Sequence, residues 1–142
     1  MNTPPKIRKA HPIIDADVEI LEQAFRTLGA FVERELKEQV VDWSWRPDLA
    51  RAWKEMRALH RWWTVERPAR KSPLEDKRIK HPPLAFEEIP GSPNMQLVPY
   101  DKKKYAAYHR AMEADRRMEA SWEQEDQRNL RRLVEVRPYL WI

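Results

Sequence analysis

Several polar side chains whose chemistry is worth placing sit where helical spacing calls for apolar residues. In the series Val18, Leu21, Phe25, Leu28, Val32, the next step of three is Glu35. In Leu49, Trp53, Met56 the next step of four is His60, followed by Trp63. A third series runs Tyr105, Tyr108, Met112, Asp115, Glu119, Trp122, Asp126, Asn129, Leu133, Val136, and carries acids along the same stripe. A polar side chain turned into a core must be hydrogen-bonded, ion-paired or metal-bound. If Glu35, His60 and one of Glu119, Glu123 or Asp126 meet, they form a buried polar centre. Carboxylates and imidazole on facing helices suit a hard or borderline divalent ion. The paired Glu-x-x-His signature of such centres is missing, since Glu55 and His60 stand five apart. The ordinary alternatives are a structural network, such as His60 to Glu35 or Arg to carboxylate, and acids rotated out to solvent.

A second constellation is basic and aromatic. Arg57, Arg61, Trp62, Arg67 and Arg70 lie within fourteen positions, with Trp63, Lys71, Lys77, Arg78 and Lys80 nearby and Lys102 to Lys104 further on. A guanidinium beside an aromatic face suits a phosphate joined to a base, so an anionic nucleotide or a single strand is a candidate ligand. Glu66, Glu75 and Asp76 dilute the charge, and the ordinary reading is a solvated, charged loop. No zinc-finger, RNP or KH motif accompanies the basic residues, which weakens nucleic acid as a partner. His11, His81 and His109 lack metal-ligand spacing, and no Ser stands in a nucleophile elbow.

The elements that must position these residues follow from the pattern. The chain has 142 residues, 42% of them hydrophobic, and a formal net charge of +4. That size fits one domain, 1–142, with a single core. The 7 Trp imply a core or interface built on aromatic anchors. There is no Cys, which rules out a disulfide scaffold, a thiol nucleophile and Cys-ligated zinc. With only 2 Gly, phosphate-cradling Gly-rich loops are disfavoured. No apolar run approaches membrane-spanning length and the N-terminus lacks a signal-type apolar stretch, so the cytosol is expected, with no membrane partner.

Residues 1–14 read as a polar arm. A helix follows, capped by Asp15 or Asp17, with Gly29 inside its pattern as a possible close crossing point, and ending near Val41. Pro47 suits the first position of a second helix, which stops near Glu66 because Pro68 restricts Arg67. The segment 67–100 holds Pro68, Pro73, Pro82, Pro83, Pro90, Pro93 and Pro99, so it reads as a long loop with little strand. From about Asp101 to Val136 nothing interrupts a third helix, about 54 Å long if continuous. Its three leading Lys oppose the helix dipole, so its start should fray. The apolar end, Pro138-Tyr139-Leu140-Trp141-Ile142, is expected to dock. Together these predict an all-α fold: an antiparallel three-helix bundle with a Pro-rich loop between helices 2 and 3 and an extended third helix. The overhang suggests a homo-oligomer.

The blocks Phe31-Val32-Glu33-Arg34-Glu35-Leu36, Trp53-Lys54-Glu55-Met56, Leu59-His60-Arg61-Trp62-Trp63 to Arg67-Pro68, Trp122 with Glu125-Asp126, and Leu130, Leu133-Val134, Arg137 and Leu140-Trp141 resemble a family of small helical proteins encoded by tailed bacteriophages. The resemblance covers about 20–68 and 105–142 and leaves the Pro-rich segment unmatched. It implies a viral protein acting in the cytoplasm of the infected host bacterium, and no catalytic residue is carried over. By analogy such proteins often modify host processes or antagonise host defence.

The function expected is therefore non-enzymatic: binding of a host protein or an anionic nucleotide by Arg57, Arg61, Trp62, Arg67 and Arg70, with no cofactor. The alternative is an all-α metal-dependent nucleotide pyrophosphohydrolase. In it Glu35, Glu119, Glu123 and Asp126 would hold magnesium, the last three sharing a helix face at i, i+4, i+7. A virion structural component is the third expectation.

Overall fold

The computed structural model describes residues 15–141. The 1–14 arm, with His11, and Ile142 of the docked terminus lie outside the described residues. The chain is mostly helical. Its long elements are α1 (Ala16–Glu38), α2 (Pro47–Arg61) and α3 (Ala106–Val136), and a small antiparallel sheet joins β1 (Phe86–Glu88) to β2 (Met95–Leu97). That sheet corrects the all-α expectation. The chain divides into two compact units, Met1–His60 with Arg132–Ile142, and Arg61–Arg131.

The first unit is built on the stripe of α1. Leu21, Phe25, Leu28, Phe31 and Val32 are buried and recur every three or four residues, as an amphipathic helix requires. Asp17 and Glu19 in its first turn complement the helix dipole. The helix stops at Glu38, three residues before the position the periodicity suggests. Gln39 takes the left-handed conformation (φ 50°) and returns its amide to the Glu35 carbonyl, 2.9 Å away. From α2 the unit buries Leu49, Ala52, Met56 and Leu59, and from the end of α3 it buries Leu133 and Val136. Gly29 lies against His60: a Cβ there would stand 3.3 Å from the ring Nδ1. Two ties lead from α2 to the chain's end, Arg132 to Glu55 and Tyr139 Oη to Asp48 at 3.3 Å. Among the described residues of the terminus, Tyr139 and Leu140 are half-buried and Trp141 is 60% exposed.

In the second unit, α2 runs on into one π-helical turn, Trp62–Glu66, closed by the Arg67 amide on the Trp62 carbonyl at 2.7 Å. The Pro-rich segment then leaves. It contains a short 3-10 turn at Pro73–Glu75, capped by the Ser72 hydroxyl, and the hairpin. The hairpin turn is Ile89-Pro90-Gly91-Ser92, closed by the Ser92 amide on the Ile89 carbonyl at 3.1 Å. Proline at its second position and Gly91 at φ 76° in its third are what a type II turn needs. The segment is fastened to α3 by Ser72 on Asp115, by the His81 ring against Tyr108, and by Tyr100 Oη on His109 Nδ1 at 2.8 Å. Helix α3 begins at Ala106, later than Asp101. The Asp101 carboxylate accepts from the amides of Lys103 and Lys104, holding the lysine run as turns ahead of the helix.

Candidate functional site

The Arg/Trp constellation and part of the acidic stripe meet inside the second unit. Beyond the π turn, Arg67 and Arg70 face α3. There Arg67 holds Asp126 with two parallel hydrogen bonds, Nε to Oδ1 at 3.0 Å and Nη2 to Oδ2 at 3.1 Å. Arg70 Nη2 donates to Glu125 Oε1 and to Asp126 Oδ1, each at 2.8 Å. The buried indole of Trp62 donates to the same Glu125 oxygen at 2.7 Å. Aromatic faces complete the cluster: Arg67 lies 4.8 Å from the Trp63 ring, and Arg70 lies 5.7 Å from Trp62 and 5.6 Å from Trp122.

Two guanidinium groups against two carboxylates leave this cluster electrically neutral. The arginine and tryptophan hydrogen bonds hold the Glu125 carboxyl below the usual range. At Asp126 burial pushes the carboxyl up, but hydrogen bonds from Arg67 and Arg70 outweigh it and the net direction is down. Arg70 follows the same logic with opposite sign. Burial lowers it, and its bonds to Asp126 and Glu125 raise it further. Glu125, Asp126 and Arg70 are therefore charged across the neutral range.

Trp62, Arg67 and the Nη2 of Arg70 direct their hydrogen bonds to α3, whereas Arg70 Nε is buried without a partner, so three of the five residues expected to grip an anion take part in an internal clasp at the root of the Pro-rich segment. Arg57 stacks on Trp53 at 5.6 Å, and exposed Arg61 lies 3.9 Å from Glu66. The clasp uses one residue the stripe analysis skipped, Glu125. The signal was present: arginines three apart, at 67 and 70, answer adjacent acids at 125 and 126.

The polar centre expected around Glu35 and His60 also takes another form. Glu35 is buried, 2% exposed, between Val32 and the chain that turns back after α1. Its Oε2 accepts from Trp43 Nε1 at 2.9 Å and from the Val41 amide at 3.2 Å. The pairing expected with His60 gives way to Glu33, which lies 3.7 Å from His60 Nε2. Trp43, the residue sequence reasoning did not connect to Glu35, stacks on Trp53 (5.3 Å, 9° between planes) and meets Phe31 edge-on. On α3, Glu119 and Glu123 are exposed and Asp126 is held by the two arginines. Among the described residues no three His, Asp or Glu group as a metal site would require. No described helix is long and apolar enough to cross a membrane.

Comparison with known protein families, with curated proteins and with solved structures found no match.

One further surface stands out by exposure. In the hairpin, Phe86 faces Leu97 and Glu88 faces Met95 across the strands, and alternation puts these four on one side of the sheet. Leu84 lies two residues before Phe86, ahead of the strand. Leu84 is 79% exposed and Phe86, Met95 and Leu97 more than half exposed. The opposite side carries Glu87 and Gln96, joined by a 2.8 Å hydrogen bond.

Proposed function

We propose that this chain is a non-enzymatic accessory protein of a tailed bacteriophage that works by binding a host protein in the infected cell, with the hairpin as its contact surface. The observation that carries this reading is one side of the hairpin, where Phe86, Met95 and Leu97 stand in solvent beside Glu88, with Leu84 exposed just ahead of the strand. Clustered exposed apolar residues mark interaction surfaces. A two-stranded sheet is marginal alone and gains stability when one side is covered. Prolines at 82, 83, 90, 93 and 99 limit each strand to three residues, which leaves almost no free edge for strand addition. The partner therefore packs side chains on the face. An anionic nucleotide is the weaker occupant, because Trp62, Arg67 and Arg70 already satisfy Glu125 and Asp126. The helical segments serve this function as the frame, which we read as a three-helix bundle.

The test is site-specific photocrosslinking in bacteria carrying the full chain with a photoreactive residue at position 86. One host protein should be captured, and the purified pair should then bind in calorimetry. Leu97→Glu should abolish both the crosslink and the calorimetric binding while leaving helicity unchanged. Crosslinks only to other copies of this chain, or binding that Leu97→Glu leaves intact, would overturn the proposal.

A further inference from the structure

Of the two adjacent carboxylates in the hairpin, the fold uses one. Glu87 accepts from Gln96 across the strands at 2.8 Å. Glu88, on the other side, is exposed opposite Met95, and its carboxylate has no hydrogen bond or ion pair among the described residues. It shares that side with Phe86 and Leu97. Glu87 and Glu88 are also the only charged residues from Pro82 to Pro99, in a chain whose net charge is +4. The hairpin is thus a negative island on a positive chain. A carboxylate that is covered and left unpaired is costly. Whatever covers Phe86, Met95 and Leu97 must therefore bring a cation to Glu88.

We propose that the hairpin's partner is a protein surface with an arginine set among apolar residues, its guanidinium pairing with Glu88 while the apolar residues pack on Phe86, Met95 and Leu97. This names the partner's chemistry and rests on the functional reading above. The neighbours of Glu88 select guanidinium over ammonium. Glu88 and Phe86 lie two positions apart on one side of the strand, about 7 Å by the strand rise. A planar guanidinium can bond the carboxylate through two parallel hydrogen bonds and lay its face on the ring. An ammonium is a strongly hydrated point charge that gives up more water to be covered. Arginine is accordingly enriched in interfaces and lysine depleted. Two other occupants fit less well. A second copy seated face to face sets the same patch against itself and brings Glu88 toward a like charge. An anionic lipid surface would attract Lys77, Lys80 and Lys102 to Lys104, but Glu87 and Glu88 stand next to the Ile89–Ser92 turn. A hairpin entering lipid by its tip would carry those two carboxylates in ahead of Phe86 and Leu97.

The experiment titrates the whole protein with a stapled amphipathic helix that carries a leucine stripe, one arginine within that stripe and glutamine elsewhere. The readout is the Met95 methyl cross-peak, identified by its loss in Met95→Leu. Met95 faces Glu88 across the strands, so it reports on that side of the sheet. The arginine helix should give a saturable shift. A helix with glutamate in its place should give none, and one with lysine should bind more weakly. Glu88→Gln should weaken the arginine helix about tenfold, the loss expected for one charged hydrogen bond. Glu87→Gln, on the opposite side, should leave its affinity unchanged. No saturable shift, equal binding of the glutamate or lysine helix, or full affinity in Glu88→Gln overturns the proposal. An equal loss in Glu87→Gln also overturns it, because net charge alone then accounts for binding. If the arginine helix shifts nothing but Met95 responds to protein concentration or to phosphatidylglycerol vesicles, the face belongs to a second copy or to a membrane. A helix that binds while photocrosslinking captures no host protein overturns the functional reading alone. A captured host protein with no helix binding overturns this inference alone.

Discussion

Arg67 and Asp126 meet end to end through two parallel hydrogen bonds of 3.0 and 3.1 Å, across a sequence separation of 59 residues. The pair is partly buried, with side-chain exposures of 31% and 20%, so solvent screens it less than a surface pair. Arg70 shares the same carboxylate, which means Asp126 removes partners from two guanidinium groups at once. Asp126→Ala should therefore destabilise the protein by about 2–3 kcal/mol, and Arg67→Ala by less, because Arg70 still neutralises the acid. Urea unfolding of the two variants and their combination gives the coupling, expected at about 1 kcal/mol or more. Additive losses would mean that the two residues act independently.

The same clasp sets a pH dependence. Glu125 and Asp126 both have folded-state pKa values below their ordinary ones. A carboxyl with a depressed folded pKa binds its proton more readily in the unfolded chain. The stability it contributes is thus fully present above the ordinary carboxylate range and is lost as pH falls through the folded value. Unfolding midpoints should be flat near neutrality and should fall below about pH 5. In the double variant Glu125→Gln with Asp126→Asn the acid slope should be shallower. An unchanged slope would place the acid sensitivity elsewhere, with Glu55 the next group to test because its bond to Arg132 also lowers it.

Much of the frame was legible because it rests on local rules. The apolar stripes of α1 and α2 mark most of the buried residues, with Val18 an exception at 44% exposed, Pro47 opens α2, and the prolines between 67 and 100 exclude a long helix there. Glu35 was legible as a polar residue at a core position. Its partner was not, because the Trp43 indole reaches it only after Gln39 turns left-handed and brings the chain back, and no periodicity encodes that turn. The pattern also left open which way α3 shows its acids. The answer lies in tertiary contact: Asp126 turns to Arg67 and Arg70, while Glu119 and Glu123 stay in water. Periodicity treats all three as equal members of one face. The hairpin was hidden for another reason. Three-residue strands are too short to show alternation, and only the Pro90-Gly91 pair announces the turn.

Gly29 offers a test of close approach within the first unit. Alanine in a helix interior gains about 1 kcal/mol over glycine. Its Cβ would stand 3.3 and 3.4 Å from two atoms of the His60 ring, so that ring must yield by a few tenths of an ångström. Gly29→Ala should change stability by less than about 1 kcal/mol, the gain and the crowding offsetting each other. Gly29→Leu, which cannot be accommodated by so small a shift, should cost about 2–3 kcal/mol. In a His60→Ala background Gly29→Ala should become stabilising. If Gly29→Ala is equally neutral with and without the imidazole, the ring is not what limits the position.

Glu35 joins the end of α1 to the returning chain, and its substitutions separate charge from hydrogen bonding. Glu35→Ala strips acceptors from the buried Trp43 indole and the Val41 amide and opens a void beside Val32, so a loss of about 3 kcal/mol is expected. Glu35→Gln retains one oxygen for those donors and should lose about 1 kcal/mol or less. The Trp43–Trp53 stack depends on the same anchor, so near-ultraviolet circular dichroism should change in Glu35→Ala and persist in Glu35→Gln. Equal losses in the two variants would show that the hydrogen bonds to Trp43 and Val41 are not what Glu35 contributes.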